Sequence, residues 1–153
     1  MQADITAIDR RRSSTLARVA SLSEADLARV DAATGWTVGQ ILGHIAASEL
    51  GSAFFIRRAA EGEVIEMDLA SRDQFNELET ERARSMDLAA LNAELADSSE
   101  SLHEALGGLT QADLAKPIAW PEWPARTIGD SLPYVVAHEA EHMAQIESAL
   151  GSG

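Results

Sequence analysis

Leu88, Leu91, Leu95, Leu102 and Leu109 fall on a heptad-like register, with Ser98 and Ala105 filling the gaps and Gly107-Gly108 ending the helix that this spacing predicts. An apolar stripe on one helix must be covered by another element, so this single feature asks for helical partners. The chain can supply them. All four prolines lie after Lys116, and the 46% hydrophobic content is largely alanine and leucine, with aromatics at only 5%. That is the composition of helices. At 153 residues, one domain spanning 1–153 with one core is expected.

Other elements follow from apolar spacing and capping chemistry. Ile5, Ile8, Leu16 and Val19 predict a first long helix over Ala3 to Leu22, with Arg10, Arg11, Arg12 and Arg18 on a solvated face. Ser23 offers a cap to a short helical turn before the break at Thr34-Gly35. Thr37-Val38-Gly39-Gln40 reads as a capping box that opens a second long helix to Ala60, with Trp36 as a hydrophobic staple against Ile41. Residues 61–86 are too many for a tight hairpin, and Ser71-Arg72-Asp73-Gln74 suggests a second capping box on a short helix reaching about Arg84. A link of that length lets the long helices on either side run parallel.

Leu109 to Arg126 changes character, holding Pro117, Pro121, Pro124, Trp120 and Trp123. It reads as a loop whose tryptophans cover one end of the molecule, with lining of a substrate site as the second reading. Thr127 then caps a last long helix that runs to Leu150, with Pro133 better suited to a first turn than to an interior, and Gly151 to Gly153 fray.

Charge and residue usage exclude several classes of function. Twelve lysines and arginines against 25 acids give a formal charge of -13, which repels nucleic acid and anionic membrane. No cysteine is present, so there is no disulfide and no thiolate ligand, and any metal must be held by nitrogen and oxygen. The first twelve residues lack the apolar segment of a signal peptide, and the stretch around Ile41 to Ile56 is too short and too polar to span a bilayer. A soluble cytoplasmic protein acting on a small molecule is the expectation.

Four histidines occur, at 44, 103, 138 and 142. His138 and His142 lie four residues apart on the last helix, so both imidazoles share one face about 6 Å apart along the axis. Tyr134 and Gln145 fall within about 40° of the same line. His44 lies on the second helix above Gln40, Ser48, Gly51 and Phe55, a face whose small residues leave room for a ligand. His103 follows Leu102 and points away from the leucine stripe, as a surface residue would.

Three neutral imidazoles, His44, His138 and His142, form a metal set that leaves coordination positions open, as catalytic sites do. Glu49 and Glu139 point too far from these lines to be ligands, whereas Glu141 can reach the rim or accept a hydrogen bond from a ligand. His138-Glu139-Ala140-Glu141-His142 also spells the zinc-protease pattern, but that class needs a further ligand downstream and only eleven residues remain after His142.

Trp36-Thr37-Val38-Gly39-Gln40-Ile41-Leu42-Gly43-His44-Ile45-Ala46 and His138-Glu139-Ala140-Glu141-His142-Met143-Ala144-Gln145-Ile146 resemble the two histidine motifs of the DinB-like (YfiT-like) metalloenzyme superfamily, and helix order and length resemble it over nearly the whole chain. The resemblance implies an all-α four-helix bundle, arranged up-down-down-up, with a long crossover between the second and third long helices. It implies a divalent transition metal, nickel, zinc, iron or manganese, on His44, His138 and His142, and a homodimer. Relatives include bacillithiol- and mycothiol-dependent S-transferases and maleylpyruvate isomerase. The function it implies is therefore a metal-dependent transferase that activates a low-molecular-weight thiol as cosubstrate. Glu141, Gln145 and Tyr134 are candidates to orient a ligand or the bound thiol. The alternatives are a metal-dependent hydrolase and a non-catalytic bundle that binds a metal or small molecule.

Overall fold

The computed structural model describes the backbone over residues 2–120 and 126–151, and side chains from Ile5 onward within those ranges. The described residues are helical, with no strand beyond two isolated bridges, Val30 to Thr37 and Pro117 to Thr127. Four long helices, α1 (Gln2–Val19), α3 (Val38–Ala60), α5 (Leu88–Gly107) and α6 (Ile128–Gly151), are supplemented by the short α2 (Glu24–Leu27) and by α4 (Leu69–Ala83). A 3-10 turn at Asp113–Ala115 lies within the segment expected to be irregular. Pro121, Trp123 and Pro124 of that segment, and Ser152 and Gly153, lie outside the described residues.

The caps set where the helices begin. Thr37 and Gln40 form the reciprocal capping box at the start of α3, and Ser23 and Asp26 form one at α2. The Thr127 hydroxyl accepts the Asp130 amide at 3.2 Å, so α6 starts at Ile128 and Pro133 lies inside it. The expected box at Ser71 is not the start of α4. Asp68 takes that role, its carboxylate accepting the Ser71 amide at 2.7 Å, and the helix begins three residues earlier than Ser71 would allow. Past α3, Gly62 adopts a φ of 90°, a left-handed value that favours glycine.

α3 packs on α5, α4 and α6, while α1 packs on α5 and α6. The core is divided along the helices into two apolar clusters. One contains Val19 of α1, Ile41 and Ile45 of α3, Leu91 and Leu95 of α5, and Met143 and Ile146 of α6. The other contains Ile8 of α1, Ala53 and Ile56 of α3, Leu102 and Leu106 of α5, and Leu132 and Val135 of α6. Gly43 sits where α3 meets α4: a Cβ there would overlap that of Ala83.

Between the clusters each long helix contributes polar residues: Arg12 and Thr15 from α1, Glu49 from α3, Ser98 from α5 and Glu139 from α6, all at least nine-tenths buried. Arg12 forms an ion pair with Glu49 and lies 3.6 Å from Glu139. Ser98 donates to Glu49 at 2.8 Å, and Thr15 donates to Glu139. This corrects the expectation of a solvated face for Arg12, which is only 4% exposed, whereas Arg10 is exposed and Arg11 and Arg18 are half-buried. The long stem lets a guanidinium reach across the core, and two buried carboxylates hold its charge there. Burial pushes the Arg12 guanidinium down to about 10, with Glu139 acting in the opposite direction.

Removing Arg12 alone strands two buried carboxylates. Arg12→Met is therefore expected to cost about 3–5 kcal/mol. Arg12→Met combined with Glu49→Gln and Glu139→Gln removes the stranded charges and should recover more than half of that loss, as measured by urea denaturation at pH 7.

Candidate metal centre

α3 and α6 bring His44, His138 and His142 together. One ring nitrogen from each lies within 4.8 Å of the other two. The His138 and His142 Nε2 atoms are 3.1 Å apart, close to the separation of two nitrogens sharing an ion with bonds of about 2.1 Å. The His44 ring centre lies 4.7 Å from that of His142 and 5.2 Å from that of His138.

Hydrogen bonding settles part of the tautomer question. His142 Nδ1 lies 2.8 Å from Gln145 Oε1 and donates its proton there, leaving Nε2 as a bare lone pair facing His138. Nδ1 of His44 is buried with no hydrogen-bond partner among the described residues, and its Nε2 lies a long 3.4 Å from Ser48 Oγ. An orphaned imidazole nitrogen beside two converging rings fits a cation, which would satisfy a lone pair that protein groups leave unmet.

Electrostatics keep the set in the form that binds metal. Burial, followed by the neighbouring imidazoles, pushes His44 down to about 3. Burial and His142 push His138 down to about 4. His142 is also lowered by burial, opposed by Gln145 and Glu141. All three are therefore neutral at pH 7.

The histidines open onto a cavity of about 850 Å³. Ser48, Gly51 and Phe55, on the face read below His44, line it, whereas Gln40 is occupied by its capping role. Glu141 lines it and is exposed. Gln145 and Tyr134 are half-buried and are not among the lining residues; Gln145 touches the site through His142. Trp120 also lines the cavity, with its ring 4.6 Å from that of Phe55. His103 is exposed and pairs with Asp9 at 3.0 Å, away from the cluster.

Several cavity residues had no sequence signal that assigned them. Trp36 stands 5.1 Å from the His44 ring and stacks at 6.5 Å on His142, in addition to packing against the Ile41 cluster. Its place immediately before the α3 cap explains both contacts, since the capped turn fixes the chain just above the first turn of the histidine face. Arg72, Asn76 and Glu79 of α4, and Glu94 and Asp97 of α5, complete a polar wall. Glu49 and Glu139 belong to the Arg12 layer.

A helical fold with three converging neutral imidazoles on an open cavity defines a class of candidate metal proteins. The sequence matches the DinB superfamily over residues 7–146, and the chain belongs to that superfamily. Among solved structures, the fold is similar to the crystal structure of the mycothiol-dependent maleylpyruvate isomerase, with a TM-score of 0.84 and 14% identity, covering 95% of this chain and 60% of that one. A histidine-to-alanine mutant of that isomerase matches with the same TM-score and coverage at 13% identity. The chain thus spans about three-fifths of the length of these structures. No curated protein matches the sequence. No helix among the described residues is long and apolar enough to cross a membrane.

Folding holds the imidazoles neutral at pH values where the unfolded chain protonates them, near 6.5. The metal-free protein therefore loses stability as pH falls below about 6.5, because the unfolded chain takes up protons that the native state refuses. His44 alone should account for roughly 2 kcal/mol between pH 6.5 and pH 5. In urea titrations of metal-free protein, His44→Gln should flatten this part of the stability profile relative to wild type.

Proposed function

We propose that the chain is a metal-dependent enzyme with an open three-histidine site, and that it acts as a transferase activating a low-molecular-weight thiol. The observation that carries this reading is the convergence of His44, His138 and His142 within 4.8 Å on the wall of a cavity large enough for a small-molecule substrate. The similarity in fold to a mycothiol-dependent isomerase supports the choice of a thiol over water as the activated group. A divalent transition metal, nickel, zinc, iron or manganese, would supply Lewis acidity there, lowering the pKa of a small thiol so that it is presented as the thiolate.

The chain's own residues set the stage. His44, His138 and His142 are the ligands in this reading, and Gln145 fixes the His142 tautomer by accepting its Nδ1 proton. Trp36 braces two of the imidazoles, and the aromatic wall limits water at the site. Glu141 lies on the rim, within reach of a bound thiol's polar groups, and Tyr134 is half-buried on α6 one turn before His138. The proposal includes an up-down-down-up helix order. In support, rising residue number leads from the Ile8 cluster to the Val19 cluster along α1 and α6, and the reverse way along α3 and α5. A cytoplasmic homodimer without a nucleic-acid partner is the proposed working form, in keeping with the sequence resemblance and the charge of -13.

Elemental analysis of tag-free protein should find close to one equivalent of a transition metal in wild type and less than a tenth of that in His138→Ala. Loaded protein should then conjugate monochlorobimane with one small thiol at least tenfold faster than His138→Ala does. Wild type that retains no metal after incubation with these ions contradicts the proposal. Metal retention without conjugation to any thiol would leave a binding protein instead.

A further inference from the structure

Among the described residues seven large apolar side chains are exposed, and all but Val30 belong to α3 or to residues 64–78. Leu50, Phe54 and Phe75, at 46%, 48% and 38% exposure, line the cavity onto which the histidines open. Apolar side chains scattered singly over a surface need no partner, but gathered at a cavity they mark a place that a ligand covers.

α3 gives this cavity its length. His44, Ala47, Ser48, Gly51, Phe54 and Phe55 all line it, at the three- and four-residue spacing of one helix face. Phe54 follows His44 by ten residues, so the lined face runs about 15 Å. Trp120 lies over its middle, 3.6 Å from where a Cβ of Gly51 would stand, with its ring centre 4.6 Å from that of Phe55. Ile65 and Met67, both half-buried, add apolar wall from the link before α4. Charged residues share the cavity without covering these side chains: Arg82 donates to Glu79 and to Glu94, each at 2.8 Å, and Asp97 and Glu141 are exposed to water.

We propose that the substrate taken beside the histidines carries an elongated apolar body, which lies along the α3 face from His44 toward Phe54 and is covered by Leu50, Phe54 and Phe75. The inference rests on this cavity being the reaction site of the proposed transferase. Burial of the apolar body removes both its own surface and that of the three side chains from water, so affinity rises with its length.

The test uses N-phenyl-1-naphthylamine, an uncharged dye that brightens in apolar surroundings, and its displacement by 1-butanol, 1-hexanol and 1-octanol. Metal-free and metal-loaded protein are compared, with metal content measured on the same samples. The dye should bind once per chain, and each added methylene should tighten an alcohol about threefold. Phe54→Gln and Phe75→Gln, at exposed positions whose variants should keep the wild-type Tm, should each weaken 1-octanol at least about threefold and 1-butanol less. Leu78→Gln removes an exposed apolar side chain that does not line the cavity, and it should leave all three affinities unchanged.

Alcohol affinities that do not rise with chain length, or that Leu78→Gln lowers as much as Phe54→Gln does, overturn the proposal. So does dye binding that weakens as protein concentration rises, with wild type sedimenting as a dimer and Phe54→Gln as a monomer, because a second copy then covers these side chains. If the samples take up no metal, the transferase reading fails, while the ranking of alcohols in metal-free protein still decides whether the cavity takes an apolar body. If metal is retained and the ranking is absent, this inference fails alone.

Discussion

The pairing of Arg12 with Glu49 and Glu139 is the constraint on which the arrangement of the long helices depends. It links α1, α3 and α6 at the middle of an otherwise apolar interior, and Ser98 adds α5 through its bond to Glu49. A buried charge is tolerated only where its partners stand in register, so the layer penalises sliding of one helix along another. The two clusters on either side supply nondirectional apolar burial; the layer supplies the register.

That register reaches the histidines directly. Glu49 lies five residues after His44 on α3, and Glu139 is the neighbour of His138 on α6. Fixing these two carboxylates against one guanidinium therefore fixes how α3 and α6 face each other at the level of the imidazoles. The histidines then project into the cavity, while Glu49 and Glu139 are taken up by Arg12. The same acids that look like spare ligands beside the motifs serve the scaffold.

Much of this was legible in the sequence because it follows from local rules. The α3 start could be read from Thr37 and Gln40, and the helical character of residues 88–107 from the leucine register. The meeting of two imidazoles on α6 is a consequence of helix pitch alone. What the sequence hid depends on contacts between distant segments. Helical spacing does single out Arg12, which falls on the line of Ile5, Ile8, Leu16 and Val19 while Arg10, Arg11 and Arg18 lie roughly 100° or more away; what the sequence hid is that a charge can be held there, because its partners Glu49 and Glu139 are on other helices. The cap at Asp68 was missed because Ser71-Gln74 offers an equally good local pattern and the backbone chose the carboxylate. The polar wall from α4 and α5 was hidden for the same reason as Arg12: Arg82, Glu79 and Glu94 look like surface charges until the link folds over the cavity.

The site joins three physical conditions that rarely coincide by accident: imidazoles kept neutral by burial, one ring nitrogen from each within 4.8 Å of the other two, and open space beside them. Belonging to the DinB superfamily supplies the frame, and these residues supply the chemistry. The central claim is that His44 joins His138 and His142 on one ion. X-ray absorption at the metal edge of protein loaded with zinc tests it most directly. The account predicts three imidazole scatterers at about 2.0–2.1 Å, falling to two in His44→Ala. A spectrum with fewer than three imidazoles in wild type, or one unchanged by His44→Ala, would contradict it.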